Sequence, residues 1–79
     1  MSGRLIVTIE HLYTVPTWTG RVGYCGQKSR EFFAAQGWDW LDFVQNGIDA
    51  DRLTATGNAL AIHLVAHARC VEEARHGQQ

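Results

Sequence analysis

Cysteine is scarce in this chain: of seventy-nine residues only Cys25 and Cys70 carry a thiol. Two cysteines make no disulfide framework, and they read as reduced thiols of a cytoplasmic product. Charge of one sign is lacking too. Seven basic residues face eight acidic ones, for a formal net charge of −1. That balance disfavours a nucleic-acid binder that relies on neutralising phosphates. No apolar run approaches the ~20 residues that a bilayer-spanning helix needs. The N-terminal apolar stretch is too short, and too soon followed by Glu10, to be expected to act as a signal peptide. The glycines never form Gly-x-Gly-x-x-Gly or a P-loop, so nucleotide binding has no support.

Apolar residues, at 46%, and charged residues, at 19%, describe a folded chain rather than a disordered one. The length predicts a single domain, 1–79, near the lower limit at which a core suffices, and a fold this small often leans on a partner. The fold class predicted is mainly α with a short N-terminal β-strand, a small α+β domain of three to four short capped helices, the last one long. Residues 1–28 hold the strand and an irregular docking segment, 29–75 the helical half, and 76–79 a tail expected to fray.

Leu5, Val7 and Ile9 alternate with Ile6, Thr8 and Glu10, a strand signal rich in β-branched residues. From Thr8 onward the same residues can instead start a helical turn, and Pro16 ends whatever precedes it. The internal partner predicted for the strand lies around Trp18 to Tyr24, where Gly20 and Gly23 weaken the pattern. Where that pairing is poor, the strand is free to join another protein's sheet. Residues 14–28 read as a long irregular connector carrying Trp18, Tyr24 and Cys25. Its aromatics are either pinned to their own core or open to a partner surface.

Residues 29–48 concentrate two of the three tryptophans and all three phenylalanines. Ser29 is expected to cap a helix over 30–36 that stops at Gly37. Asp39 then caps a second helix, with Trp38 and Phe43 at the spacing of a hydrophobic staple. Trp40, Phe43 and Val44 follow helical spacing and are expected to face inward, and Gly47 closes the helix. The device repeats with Ile48, Asp49, Leu53 and Gly57. Asn58 caps the last helix, Ala59 to about Arg75. At 100° per residue, Leu60, Leu64, Ala68 and Val71, flanked by Ala61 and Val65, form its core face. Ile62 and Ala66 fall on the far side, a second apolar strip that predicts contact with another chain.

His63-x3-His67-x2-Cys70 places three potential ligands on one helix edge, which suits a transition metal, with Cys25 or His11 as a fourth ligand. The plainer reading is a polar edge on an alanine-rich helix. Cys25, in Gly-Tyr-Cys-Gly, reads as a structural cysteine; a nucleophile or a ligand in a partner's cluster is the sharper alternative. Asp39, Asp42, Asp49 and Asp51 are explained as helix caps and first-turn dipole partners rather than acid–base pairs. The short consecutive helices expose acids where a DNA-recognition helix needs basic or amide residues. No cofactor is expected.

Gly23-Tyr24-Cys25, Arg30-Glu31-Phe32-Phe33, Gly37-Trp38-Asp39-Trp40, Phe43-Val44, Gly47-Ile48 and Leu53-x-Ala55-Thr56-Gly57-Asn58-Ala59 occur in that order. Together they resemble small proteins encoded among the tail genes of Mu-like transposable siphophages and prophages, over about residues 5–70. Asn58 stands where the family pattern has an acidic residue, a change that a helix cap absorbs. The resemblance implies a non-enzymatic tail-tip or baseplate component, made in the host cytoplasm and carried in the virion tail. It implies docking onto larger tail proteins, with self-association in a ring as a further option; from the charge balance and the lack of a spanning run, no nucleic-acid or membrane partner is expected. Trp18, Tyr24 and Ile62 are the expected contact residues. The alternative is a phage-encoded regulator or inhibitor of a host protein.

Overall fold

The computed structural model describes residues 5–17 and 23–76. In chain order they form β1 (Ile6–Val7), α1 (Ile9–Thr14), α2 (Gly26–Ala35), α3 (Trp40–Asn46), β2 (Ile48–Asp49), α4 (Ala50–Ala55) and α5 (Ala59–His76). The architecture is mainly α with a short antiparallel strand pair, and the last helix is the long one.

The first strand ends where the sequence allowed a helical turn to begin. Thr8 is the extended residue before α1, and its N–H donates to Nδ1 of His11 at 2.9 Å. An imidazole three residues on thereby satisfies a backbone donor that the first turn leaves without a partner. The strand's partner differs from the sequence expectation. β1 pairs with β2, Ile6 opposite Asp49 and Val7 opposite Ile48, and the Ala50 N–H donates to the Leu5 carbonyl at 3.0 Å. The physical reason lies in the cap of α4. An N-cap residue must be extended, and Asp49 (φ −62°, ψ 129°) with Ile48 before it supplies two residues of strand geometry. One edge of β1 is therefore satisfied within the chain, by a partner other than the expected one.

The connector is also shorter than the sequence predicted. α1 takes its start and α2 begins at Gly26, capped by Cys25 rather than Ser29. Ser29 lies buried inside the helix, where its hydroxyl donates to the Cys25 carbonyl at 2.9 Å. A serine mid-helix commonly bonds the carbonyl four residues back, and Ser29 does so here instead of capping. The chain reaches α2 early because Gly23 N–H donates to the Val15 carbonyl and Tyr24 N–H to the Leu12 carbonyl, at 2.7 and 3.0 Å. These bonds pull residues 23–25 against α1. Arg4, residues 18–22 and the expected tail from Gly77 onward lie outside the described residues.

The three later caps, Asp39, Asp49 and Asn58, stand where expected. Asp39 Oδ1 accepts from the Leu41 N–H at 3.0 Å and Asp49 Oδ1 from the Asp51 N–H at 2.9 Å. Asn58 Oδ1 accepts from both Leu60 and Ala61, at 2.8 and 3.2 Å. Asn58→Ala is expected to cost about 1 kcal/mol, while Asn58→Asp keeps the acceptor and adds a charge that suits the helix dipole. Thermal melts should show a fall of about 4–8 °C for the alanine variant and little change for the aspartate.

The core joins Val7, Leu12, Val15, Phe33, Phe43, Ile48, Leu53, Leu64, Val65 and three alanines. α5 packs against α4, α1 and β1, so it is the element on which the two ends of the chain meet. Phe33 is the hub of an aromatic cluster. Its ring centroid lies 4.7 Å from Phe43 and 5.3 Å from both Trp38 and Trp40. The staple expected between Trp38 and Phe43 is thus bridged by Phe33, since Trp38 stands edge-on to Phe33 and Phe32. Two sequence expectations fail on burial. Val44 is 40% exposed and Leu60 is 49% exposed, although both fit their helix's apolar spacing. α3 has only seven residues and turns a single side, Phe43, fully inward. Leu60 sits in the first turn of α5, beside the opening described next.

Candidate partner-binding surface

An apolar pocket of about 290 Å³ opens where α1, α2, α4 and the start of α5 converge. Leu12 forms one wall, Phe32 and Phe33 a second, and Leu53, Leu60, Ala61 and Leu64 the others. Tyr24, Cys25, Lys28 and Asn58 also line it. The sequence folds this way because each wall is the apolar stripe of a different helix. Phe32 and Phe33, adjacent on α2, cannot both point into one core. Phe33 is buried against the tryptophans, and Phe32 is left half-buried against Trp38.

Tyr24 is pinned to its own core rather than held away from it. Its hydroxyl donates to the Leu60 carbonyl at 2.9 Å, tying residues 23–25 to the head of α5. Burial pushes its phenol above the ordinary tyrosine range. Cys25 is exposed at the N-cap of α2. The backbone N–H groups of Lys28 and then Gln27 stabilise its thiolate, and the Lys28 charge adds to them, so the thiol lies below its ordinary value.

Of the three expected contact residues, Tyr24 lines the pocket and Ile62 stands 44% exposed on α5 outside it. Trp18 lies outside the described residues. The structure brings Tyr24 to Leu60, not to Ile62. Leu60 and Phe32 are the residues that sequence reasoning missed, because helical spacing marks a residue as apolar-faced without saying what covers it.

The candidate metal edge is occupied by other work. His63 Nε2 donates to the Pro16 carbonyl at 2.8 Å, and His67 Nε2 lies 3.0 Å from Thr14 Oγ1. Cys70 is exposed. His11, the suggested fourth ligand, turns its two ring nitrogens to Thr8 and Glu72. Among the described residues no three His, Cys, Asp or Glu side chains are placed to hold one metal ion. No helix among them is long and apolar enough to cross a membrane.

Compared with known proteins, the chain matches no family model, no curated protein and no solved structure.

Proposed function

We propose that this chain is a small non-enzymatic docking module, an accessory component of a bacteriophage tail tip or baseplate that seats on larger tail proteins. The observation that carries the docking part is the apolar pocket bordered by Tyr24, Phe32 and Leu60. Its size suits one aromatic or branched aliphatic side chain, and interfaces of this kind draw most of their affinity from one such anchor in a desolvated pocket. The occupant is an apolar side chain of a neighbouring tail subunit. Exposed Ile62 and Ala66 give α5 a second apolar strip for a further neighbour. The assignment to a phage tail rests on the resemblance of residues 5–70.

Leu60→Glu tests the docking surface. The side chain is half exposed and the Tyr24 hydroxyl bonds its backbone carbonyl, so the fold should survive. A carboxylate near the N-terminus of α5 also suits the helix dipole. The variant is expected to melt within about 3 °C of the parent yet to lose incorporation into particles about 30-fold, as hot-spot residues do. Trp18→Ala is the companion variant for the expected contact residue that lies outside the described residues, and it is expected to lose incorporation as well. Mass spectrometry of purified virions reads both, and a parent chain absent from virions but abundant in infected cells would favour a regulator of a host protein instead.

A further inference from the structure

Three imidazoles lie along the seam between α1 and α5. His11, only 3% exposed, accepts the Thr8 N–H on Nδ1 and has Nε2 3.1 Å from Glu72 Oε2. A ring nitrogen that accepts an amide N–H carries no proton, so the neutral ring holds its proton on Nε2 and donates it to Glu72. His67 stands edge-on to His11, ring centroids 6.4 Å apart. The Thr14 hydroxyl donates to the Glu10 carbonyl at 2.8 Å, and so it receives the His67 Nε2–H through a lone pair. His63 donates to the Pro16 carbonyl one turn further along α5. Imidazoles therefore stitch α5 to α1 and to the Val15–Pro16 turn at three successive levels.

We propose that this seam is a proton-operated latch: charging His67 loosens α1 and the residues after it from α5. The other ionisable groups at the seam are Glu10 and Tyr13 on α1 and Glu72 and Arg75 on α5. His11 Nε2 has a carboxylate beside it, Glu72 at 3.1 Å, which also lies 3.4 Å from Arg75. His67 is worse placed for charge. Its Nε2 faces a hydroxyl, and His11 and His63 flank it as two further sites of positive charge.

Burial, and then its neighbours His11 and His63, hold His67 below the ordinary imidazole range. The unfolded chain, with its histidines near about 6.5, then takes up the proton before the folded one. The stability is complete above that pH and is lost as pH falls through it toward the lower folded value. Leu12, on α1, is also a wall of the apolar pocket, so the latch would make that wall acid-sensitive. The latch does not depend on the docking reading, and its test uses the isolated chain.

His67→Gln keeps a side-chain donor for Thr14 and removes the titration. Thermal melts of parent and variant between pH 8 and pH 5 should diverge, the parent losing about 2–5 °C more than the variant. Amide exchange supplies the local readout. At pH 5, corrected for intrinsic rates, the Gly23 and Tyr24 amides of the parent should exchange at least about fivefold faster than at pH 7.5, while those of α4 keep their protection. Should His67→Gln fail to fold, His67→Asn is read in the same way. Parallel melting curves in parent and variant, or loss of protection spread evenly over all helices, would overturn the latch.

Discussion

Gly47→Ala is expected to leave the chain largely unfolded at 25 °C, because the added methyl runs into β1. Gly47 has φ +79°, and a Cβ there would stand 2.6 Å from Ile6 Cγ2 and 2.8 Å from the Val7 carbonyl oxygen. Two costs therefore add. The left-handed backbone strains any L side chain by about 1–2 kcal/mol, and the clash falls partly on backbone that is itself paired with β2. Relieving it means moving β1 off the sheet, which unseats Val7, a fully buried core residue. A chain of this size has about 4–12 kcal/mol of stability in all, so a loss of about 4 kcal/mol or more is decisive. Gly37→Ala and Gly57→Ala are the controls. Both glycines have positive φ, but a Cβ at either meets nothing within 4 Å. Each should cost about 1 kcal/mol from the backbone alone. Far-UV circular dichroism and urea unfolding separate the cases, and a Gly47→Ala variant that melts like the other two would refute the close approach of β1.

Phe33→Ala should cost about 3–5 kcal/mol, against about 1–2 kcal/mol for Phe32→Ala next to it. Phe33 is 2% exposed and meets Trp38, Trp40 and Phe43 at ring distances of 4.7 to 5.3 Å. Its removal opens a cavity where three large rings lose a shared neighbour, and rigid rings refill such a space poorly. Phe32 is half-buried and touches Trp38 at 6.0 Å and Phe33 at 6.2 Å. Its loss enlarges the pocket at the surface more than it damages the core. Urea midpoints check the ranking, and equal losses would mean that the two rings share the core evenly. Tryptophan fluorescence offers a second check, since only Phe33→Ala should strip both Trp38 and Trp40 of a ring contact.

These two positions also show how far the residues alone can be read. The glycine that ends α3 is legible, because Asp39 and Gly47 bracket one short apolar run and caps act within a single turn. That the same glycine presses on β1 is not legible, since β1 lies about forty residues earlier in the chain. Phe32 and Phe33 are equally aromatic and adjacent, and the helical period assigns neither of them to the core. The histidines make the same point. His63 and His67 share an edge of α5 as their spacing requires, but spacing cannot tell a metal edge from a seam. The outcome depended on α1 lying alongside, with a hydroxyl at Thr14 and a carbonyl at Pro16 within reach. Ser29 marks the opposite error, where a residue suited to capping was drawn inside a helix once Cys25 took the cap.

What the sequence determined by itself is where the helices of the second half start and stop. Asp39, Asp49 and Asn58 satisfy donors two or three residues away, and Gly37, Gly47 and Gly57 end the runs that follow or precede them, all within the reach of one turn. Only the tertiary structure decided which segment pairs with β1, where the imidazoles of α5 spend their protons, and which apolar residues remain open around the pocket. Those outcomes depend on chain segments tens of residues apart being brought together by burial, and burial is non-directional: it rewards the removal of apolar surface without naming the neighbour.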